Sequence, residues 1–330
     1  MHEFDSGFTV ATPAWHGLGK VLAEAPDIES AVEMAGVGWT VEERPVFADL
    51  GQSVDSVASP SDRLMQAARY KALVRSDTQR VLGVVGADYQ PVQNRDAFRW
   101  FDFLLHDGDA TLETGGSLRD GRRVWVLAKL TRNGTAEVLP GDEVNSYILL
   151  SNAHDGSMGV WITFTPIRVV CMNTLSAALR GLGENDVKAG RALTFPHTRS
   201  VQTQMDLAKN LVDLASRRFD ANMDRYRVMT KVPMGDAAFE AYIDEVFQVE
   251  DDRRAQDLRA WTDLRGLYED GPGSEIPGVR GTVWAGFNAV TAWLDHVRGR
   301  TDDGRLESTW FGDSRRVRQR AFAAAEELVK

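Results

Sequence analysis

The chain has 330 residues, 43% of them hydrophobic, and a formal net charge of −10. The apolar fraction suffices for a sizeable core, and the acidic balance argues against a protein coated in positive charge that binds DNA indiscriminately. The single cysteine, Cys171, excludes an intramolecular disulfide and a cysteine-rich zinc module.

In chain order, MHEFDSGFTVATPAWHGLG has neither the basic n-region nor the apolar h-region of a secretory signal. No run of about eighteen apolar residues marks a transmembrane helix, so a cytoplasmic protein without a membrane partner is expected. PDIESAVEMAGV predicts a short helix ending at Gly36 or Gly38, and Trp39–Phe47 a strand. Gly51 to Asp62 is polar and reads as a loop. A hairpin follows, with a strand from Tyr70, a turn at Ser76–Gln79 and a strand to Gly86. Phe98, Phe101 and Leu105 then lie at helical spacing, with Asn94 placed to cap that helix.

The middle is strand-rich. ATLETGGSL and RRVWVLAKL flank Arg119–Asp120–Gly121, and Asp-Gly between alternating apolar residues is a strong hairpin signal. VNSYILLS and MGVWITFTP flank a second turn at Asn152–Ser157. Near Asn173 the hydrophobic period changes from two to about 3.6, which predicts a helix through NTLSAALRGL ending at Gly181. Beyond it, Met205, Ala208, Leu211, Ala215, Phe219, Met223 and Tyr226 form one helical stripe. Further helices are predicted at 236–248, 252–268, 281–298 and 313–329.

The expected fold is therefore α+β: a central antiparallel sheet built from hairpins, packed by helices, with a helical C-terminal region. Residues 1–200 form a mixed core with hairpins at 110–131 and 143–165, and 201–330 a helical region packed on the same core.

Several stretches carry a family likeness: TPAWHGLG, VVGADYQPVQNRDAF, GGSLRDGRRVWVLAKL, LLSNAHDGS, PIRVVCMNTL and GTVWAGFNAVTAWLDH. Together they resemble the phage/plasmid-like family of uncharacterised proteins, a domain of unknown function. That resemblance implies a gene of phages, plasmids or integrated elements and a cytoplasmic product, and no activity. The order of two hairpins and a helix before a helical region is also similar in architecture to phage single-strand annealing proteins of the Red beta and Erf types. Architecture alone does not establish function.

Three groups of residues carry chemistry. Arg119, Arg122, Arg123 and Lys129 crowd the first hairpin, with Trp125 and Trp161 nearby in the strands. Arginines that track phosphates beside rings that stack bases suit a single-strand binder; against that, both tryptophans sit in apolar runs that favour the core. Arg168, with Asn173 at the expected helix start, offers a second phosphate contact. His154–Asp155, with His16 of WHGLG, is a possible ligand site, and Cys171 a possible partner, if they converge. The simpler role for Asn152, Asp155 and Gly156 is a tight turn. RRVRQR at Arg315–Arg320 reads as a solvated helix face that could also touch DNA.

No P-loop, HExxH or GxSxG motif is present. The sequence thus points to a non-catalytic nucleic-acid-binding protein of a mobile element, extending to single-strand annealing by a homo-oligomer, with no cofactor or metal. Two alternatives stand beside it: a metal-dependent or small-molecule enzyme using His16, His154 and Asp155, and a non-catalytic structural or host-interaction protein.

Overall fold

The structure, a computed structural model, describes residues 4–11, 18–51, 63–132, 134–170, 173–174, 192–208, 212–250 and 253–330. The fold is α+β. The first third supplies β1 (Phe4–Val10), β2 (Lys20–Leu22), α1 (Ile28–Met34), β3 (Val41–Asp49), β4 (Leu64–Arg75), β5 (Val81–Gly86), α2 (Asn94–Arg99) and α3 (Asp102–His106). The middle supplies β6 (Ala110–Leu118), β7 (Arg123–Leu130), β8 (Thr135–Glu137), β9 (Glu143–Ala153), β10 (Val160–Arg168), β11 (Asn173–Thr174) and β12 (Ala192–Phe195).

The central sheet has nine strands in the order β11-β10-β9-β7-β6-β1-β2, with β12 beside β10 and β8 beside β9. The two expected hairpins form its centre. Its pairings are antiparallel except at one edge, where β1 and β2 run parallel, so the sheet is mixed. The N-terminal strand β1 reaches the sheet because Gly116 of β6 has no side chain: a Cβ there would lie 2.2 Å from the Ser6 carbonyl oxygen. A separate three-stranded sheet, β3-β4-β5, stands beside the first core.

Both faces of the central sheet are covered, so β9 is buried from Val144 to Ala153, its apolar Tyr147–Leu150 centre flanked by Asn145, Ser146, Ser151 and Asn152. On one face Val124, Val126, Ile148, Leu150 and Ile162 pack with Phe98, Phe101 and Leu104 of the α2–α3 region. The opposite face carries Trp125, Leu127, Tyr147, Leu149 and Ile167, closed by Leu306 and Trp310. Those two come from α9 (Asp302–Phe311), a helix not expected from the sequence, although Thr301 caps it and Asp302 and Asp303 occupy its first turn.

The helical region also contains α4 (Val201–Ala208), α5 (Val212–Met229), α6 (Asp236–Phe247), α7 (Trp261–Asp270), α8 (Val283–Ala292) and α10 (Asp313–Leu328). Every residue of α8 is buried, making it the axis of that layer. Two sequence expectations are corrected. The helix predicted from Asn94 is broken into α2 and α3, and Asn94 is not its cap: Gln93 is, while the buried Asn94 amide donates to the Val37 and Trp39 carbonyl oxygens at 3.0 and 3.3 Å. Asn173–Thr174 is a short strand paired with Ile167 and Arg168 instead of a helix start. The rest of that predicted helix lies outside the described residues, as do Cys171 and most of the Gly51–Asp62 loop.

One ion pair joins the sheet to the helical layer. Arg168, at the end of β10, is 1% exposed and grips Asp142 in a fork, Nε to Oδ1 at 2.6 Å and Nη2 to Oδ2 at 2.8 Å. The Trp284 indole on α8 donates to the same Asp142 Oδ2 at 2.9 Å, and the guanidinium donates to the Pro272 carbonyl at 3.2 Å. Removing one partner leaves a buried charge alone, so Asp142→Ala should cost about 3–5 kcal/mol in a denaturant titration. A loss under about 1 kcal/mol, the range of exposed pairs, would contradict this role.

Candidate nucleic-acid interface

The turn between β6 and β7 is built by backbone geometry that side chains rarely adopt. Arg119, Asp120 and Gly121 all have positive φ, at 55°, 58° and 92°. Such strain persists only where neighbours hold it. Here Arg75, paired with Asp5 at 2.6 Å and Asp77 at 2.8 Å, donates to the Asp120 carbonyl at 3.2 Å. On the other side the His154 backbone N–H donates to the Arg122 carbonyl at 2.7 Å. The turn is therefore a rigid mount.

From this mount Arg119 and Arg123 reach one carboxylate, Glu307 of α9, the latter at 3.0 Å. Arg80 pairs with Asp120. Arg122 is exposed and, among the described residues, forms no ion pair. Among the described residues, Arg75, Arg80, Arg119, Arg122 and Arg123 stand around the turn with the carboxylates of Asp5, Asp77, Asp120 and Glu307, a slightly basic balance on an acidic protein. Lys129 lies at the far end of β7, half-buried, beside Glu113, whose carboxyl is raised by burial and lowered by that lysine. Alternation puts Arg123, Trp125, Leu127 and Lys129 on one face of the sheet. Trp125 is fully buried and offers no stacking platform. Arg168 does not join this group: its guanidinium is engaged inside the protein, so the expected phosphate contact is corrected to a structural role. Asn173, expected to act at a helix start, sits instead in the β11 strand backbone.

Trp161 lies on the same face, across β9 from Trp125 through Ser151. It is half-buried, and the Arg315 guanidinium lies 4.6 Å from the centre of its ring. The RRVRQR helix face is not simply solvated: Arg316 is exposed near Asp313, whereas Arg318 is buried against Asp295 and Arg320 donates to the Val246 carbonyl at 2.7 Å.

The histidine motif sits on the opposite face. His154 is fully buried, with Nε2 at 2.9 Å from Asn94 Oδ1. Because the Asn94 amide nitrogen is spent on two carbonyls, its oxygen must accept, and the imidazole proton therefore resides on Nε2. His154 Nδ1 is then a bare lone pair, buried without a partner among the described residues. His197 repeats the pattern: Nδ1 donates to the Gln90 carbonyl at 2.9 Å, and Nε2 is buried without a partner. Tyr89 links the two, stacking on His197 at 4.4 Å and donating to the Ala153 carbonyl at 2.8 Å. Sequence reasoning missed His197, which is 43 positions away from His154 in the chain. Its only signal was a second histidine flanked by proline and threonine.

Asp155 turns away from this cluster and accepts from the Ser157 backbone N–H at 2.9 Å, the turn role expected of it. The loop seats on β5 through Gly83, where a Cβ would lie 2.6 Å from Asp155 Cα. His16 lies outside the described residues. Among the described residues no group of three or more His, Cys, Asp and Glu side chains is arranged to hold a metal. With no solvent access, His154 offers no surface for a reaction.

Burial pushes the His154 imidazole from the usual 6.5 down to about 3, with His197 adding to the shift and Asp155 opposing it. Below pH 6.5 the unfolded chain therefore takes a proton that the folded chain refuses. This contribution to stability is complete above about 6.5 and is lost as pH falls toward 3. Urea midpoints should drop from pH 7 to pH 5, and His154→Gln should flatten that slope; identical slopes would contradict the assignment.

The family model for a domain of unknown function, DUF932, matches residues 81–322. No curated protein matches the chain, and no solved structure matches it. The matched span begins at β5 and runs into α10, taking in both central hairpins, the arginine turn, the buried histidines and the helical layer, and the chain belongs to this DUF932 family.

Proposed function

We propose that the chain is a non-catalytic protein of a phage, plasmid or related element that binds single-stranded nucleic acid, with Arg119, Arg122 and Arg123 as the phosphate contacts. A role in strand annealing during recombination is the specific form of this proposal. The observation that carries it is the exposed Arg122 on a backbone held rigid from both sides, in a cluster where arginines outnumber carboxylates. A fixed mount lowers the ordering cost of each phosphate contact. The overall charge of −10 suits this limited patch, since it suppresses binding elsewhere on the surface. Lys129 adds charge on the same sheet face, partly offset by Glu113.

Assembly into a homo-oligomer belongs to the same proposal. Phe47, Leu50, Leu64, Met65 and Tyr70 are exposed along β3 and β4, a concentration of apolar surface that a second copy would cover.

Binding of a labelled oligo-dT across a salt series tests the reading. Affinity should fall steeply with salt, and Arg122→Ala with Arg119→Ala should lower the slope by about 0.7 per lost phosphate contact. Binding that ignores salt, or a double variant that binds like the parent, would refute the proposed contacts.

A further inference from the structure

The groove between α6 and α10 is a surface that neither the arginine turn nor the central sheet uses. It encloses about 800 Å³, and small side chains line it: Ala241 on the α6 wall, Ala323 and Ala324 on the α10 wall. Ala241 is exposed and the other two are half-buried. Leu328, 43% exposed, continues the apolar strip at the end of α10. The two walls are fixed to each other: the Tyr242 hydroxyl donates to the Ala321 carbonyl at 3.0 Å, and Arg320 Nε to the Val246 carbonyl at 2.7 Å. Methyl side chains on both walls let a third helix approach closely, because the side chains at a contact set the distance between helix axes.

Charge decides which helix fits. Arg316 and Glu327 line opposite ends of the groove. They lie eleven residues apart on α10, about three turns and roughly 16 Å, and so share one face of it. Both are exposed, and each is held only by a pair within its own helix, Arg316 with Asp313 at 3.6 Å and Glu327 with Lys330. Pairs of that kind are weak. A second α10, running antiparallel about a two-fold axis at the middle of this face, lays Arg316 of each copy on Glu327 of the other. The same axis sets Arg320 opposite Ala323 and Gln319 opposite Ala324, so a long side chain meets a small one each time. A parallel copy would set Arg316 on Arg316 and Glu327 on Glu327. The face is therefore complementary to itself in the antiparallel sense alone, as an isologous contact requires.

We infer that a second copy of this chain occupies the groove, its α10 packed antiparallel on α10, with Arg316 paired to Glu327 in both directions. The contact shares no residue with the exposed surface of β3 and β4 or with the arginine turn, so it stands apart from the nucleic-acid reading. One face of a 16-residue helix is a small interface, which sets the dissociation constant on the order of micromolar.

Sedimentation of the full chain without nucleic acid, from about 1 to about 100 μM, tests it. The expected result is a dimer whose dissociation constant rises about tenfold in Arg316→Glu and likewise in Glu327→Arg, since each change turns two exposed attractions into two repulsions. An equimolar mixture of the two single variants should return to the parent's constant, and so should the double variant Arg316→Glu with Glu327→Arg. Both positions are exposed, so each variant should melt with the parent. Added salt should weaken the parent's dimer and relieve the repulsion in the single variants. A parent that stays monomeric throughout overturns the proposal and leaves the groove to a different partner. Single variants that associate like the parent overturn it too, while assembly through β3 and β4 stands. A mixture no tighter than either variant alone overturns the reciprocal pairing on which the proposal rests.

Discussion

The seating of the helical layer on the sheet depends on two opposite charges that have left water together. Arg168 and Asp142 satisfy each other only when the end of β10, the turn before β9, the Trp284 indole of α8 and the Pro272 carbonyl are all in place. A slip of any one of them leaves a charge or a donor unpaired in the interior, which is far costlier than losing an apolar contact. The pair therefore acts as a register pin. With the helices pinned, α9 brings Glu307 to Arg119 and Arg123, and α10 brings Arg315 to Trp161. The whole charged face is a consequence of that docking.

The two faces of the sheet are built for different purposes. One buries Asn152 and His154 beside Asn94, Tyr89 and His197, in a cluster where each imidazole donates once, His154 to Asn94 and His197 to the Gln90 carbonyl. Such a cluster specifies one arrangement of its elements and resists protonation. It also anchors the arginine turn, because the His154 backbone N–H holds the Arg122 carbonyl. The other face carries the exposed Arg122 at its turn and Arg315 against the Trp161 ring. An acidic protein with one such region discriminates where it is touched as well as by what.

Much of the fold was legible because its signals are local. Arg119–Asp120–Gly121 between alternating runs marked the first hairpin, and both flanking strands formed as expected. Asp155 and Gly156 marked the second turn. What failed to show was set by distant partners. Nothing near Arg168 in sequence says that Asp142 and Trp284 will enclose it, so a basic residue at a strand end read as a surface contact. His197 joins His154 through Tyr89 and Gln90, a pair far from either histidine in the chain. Thr301, Asp302 and Asp303 did carry the signal for α9, a helix of only ten residues. Arg315 read as solvated because a helix face shows its charges and conceals what packs opposite.

Binding of a single strand at the Arg119–Arg123 turn is tested most directly by cross-linking. A labelled single strand bound to the full chain would be photo-cross-linked and the modified peptides mapped. The account predicts adducts on the Arg119–Arg123 turn. Adducts confined to the β3–β4 hairpin, or none at saturating strand, would contradict it.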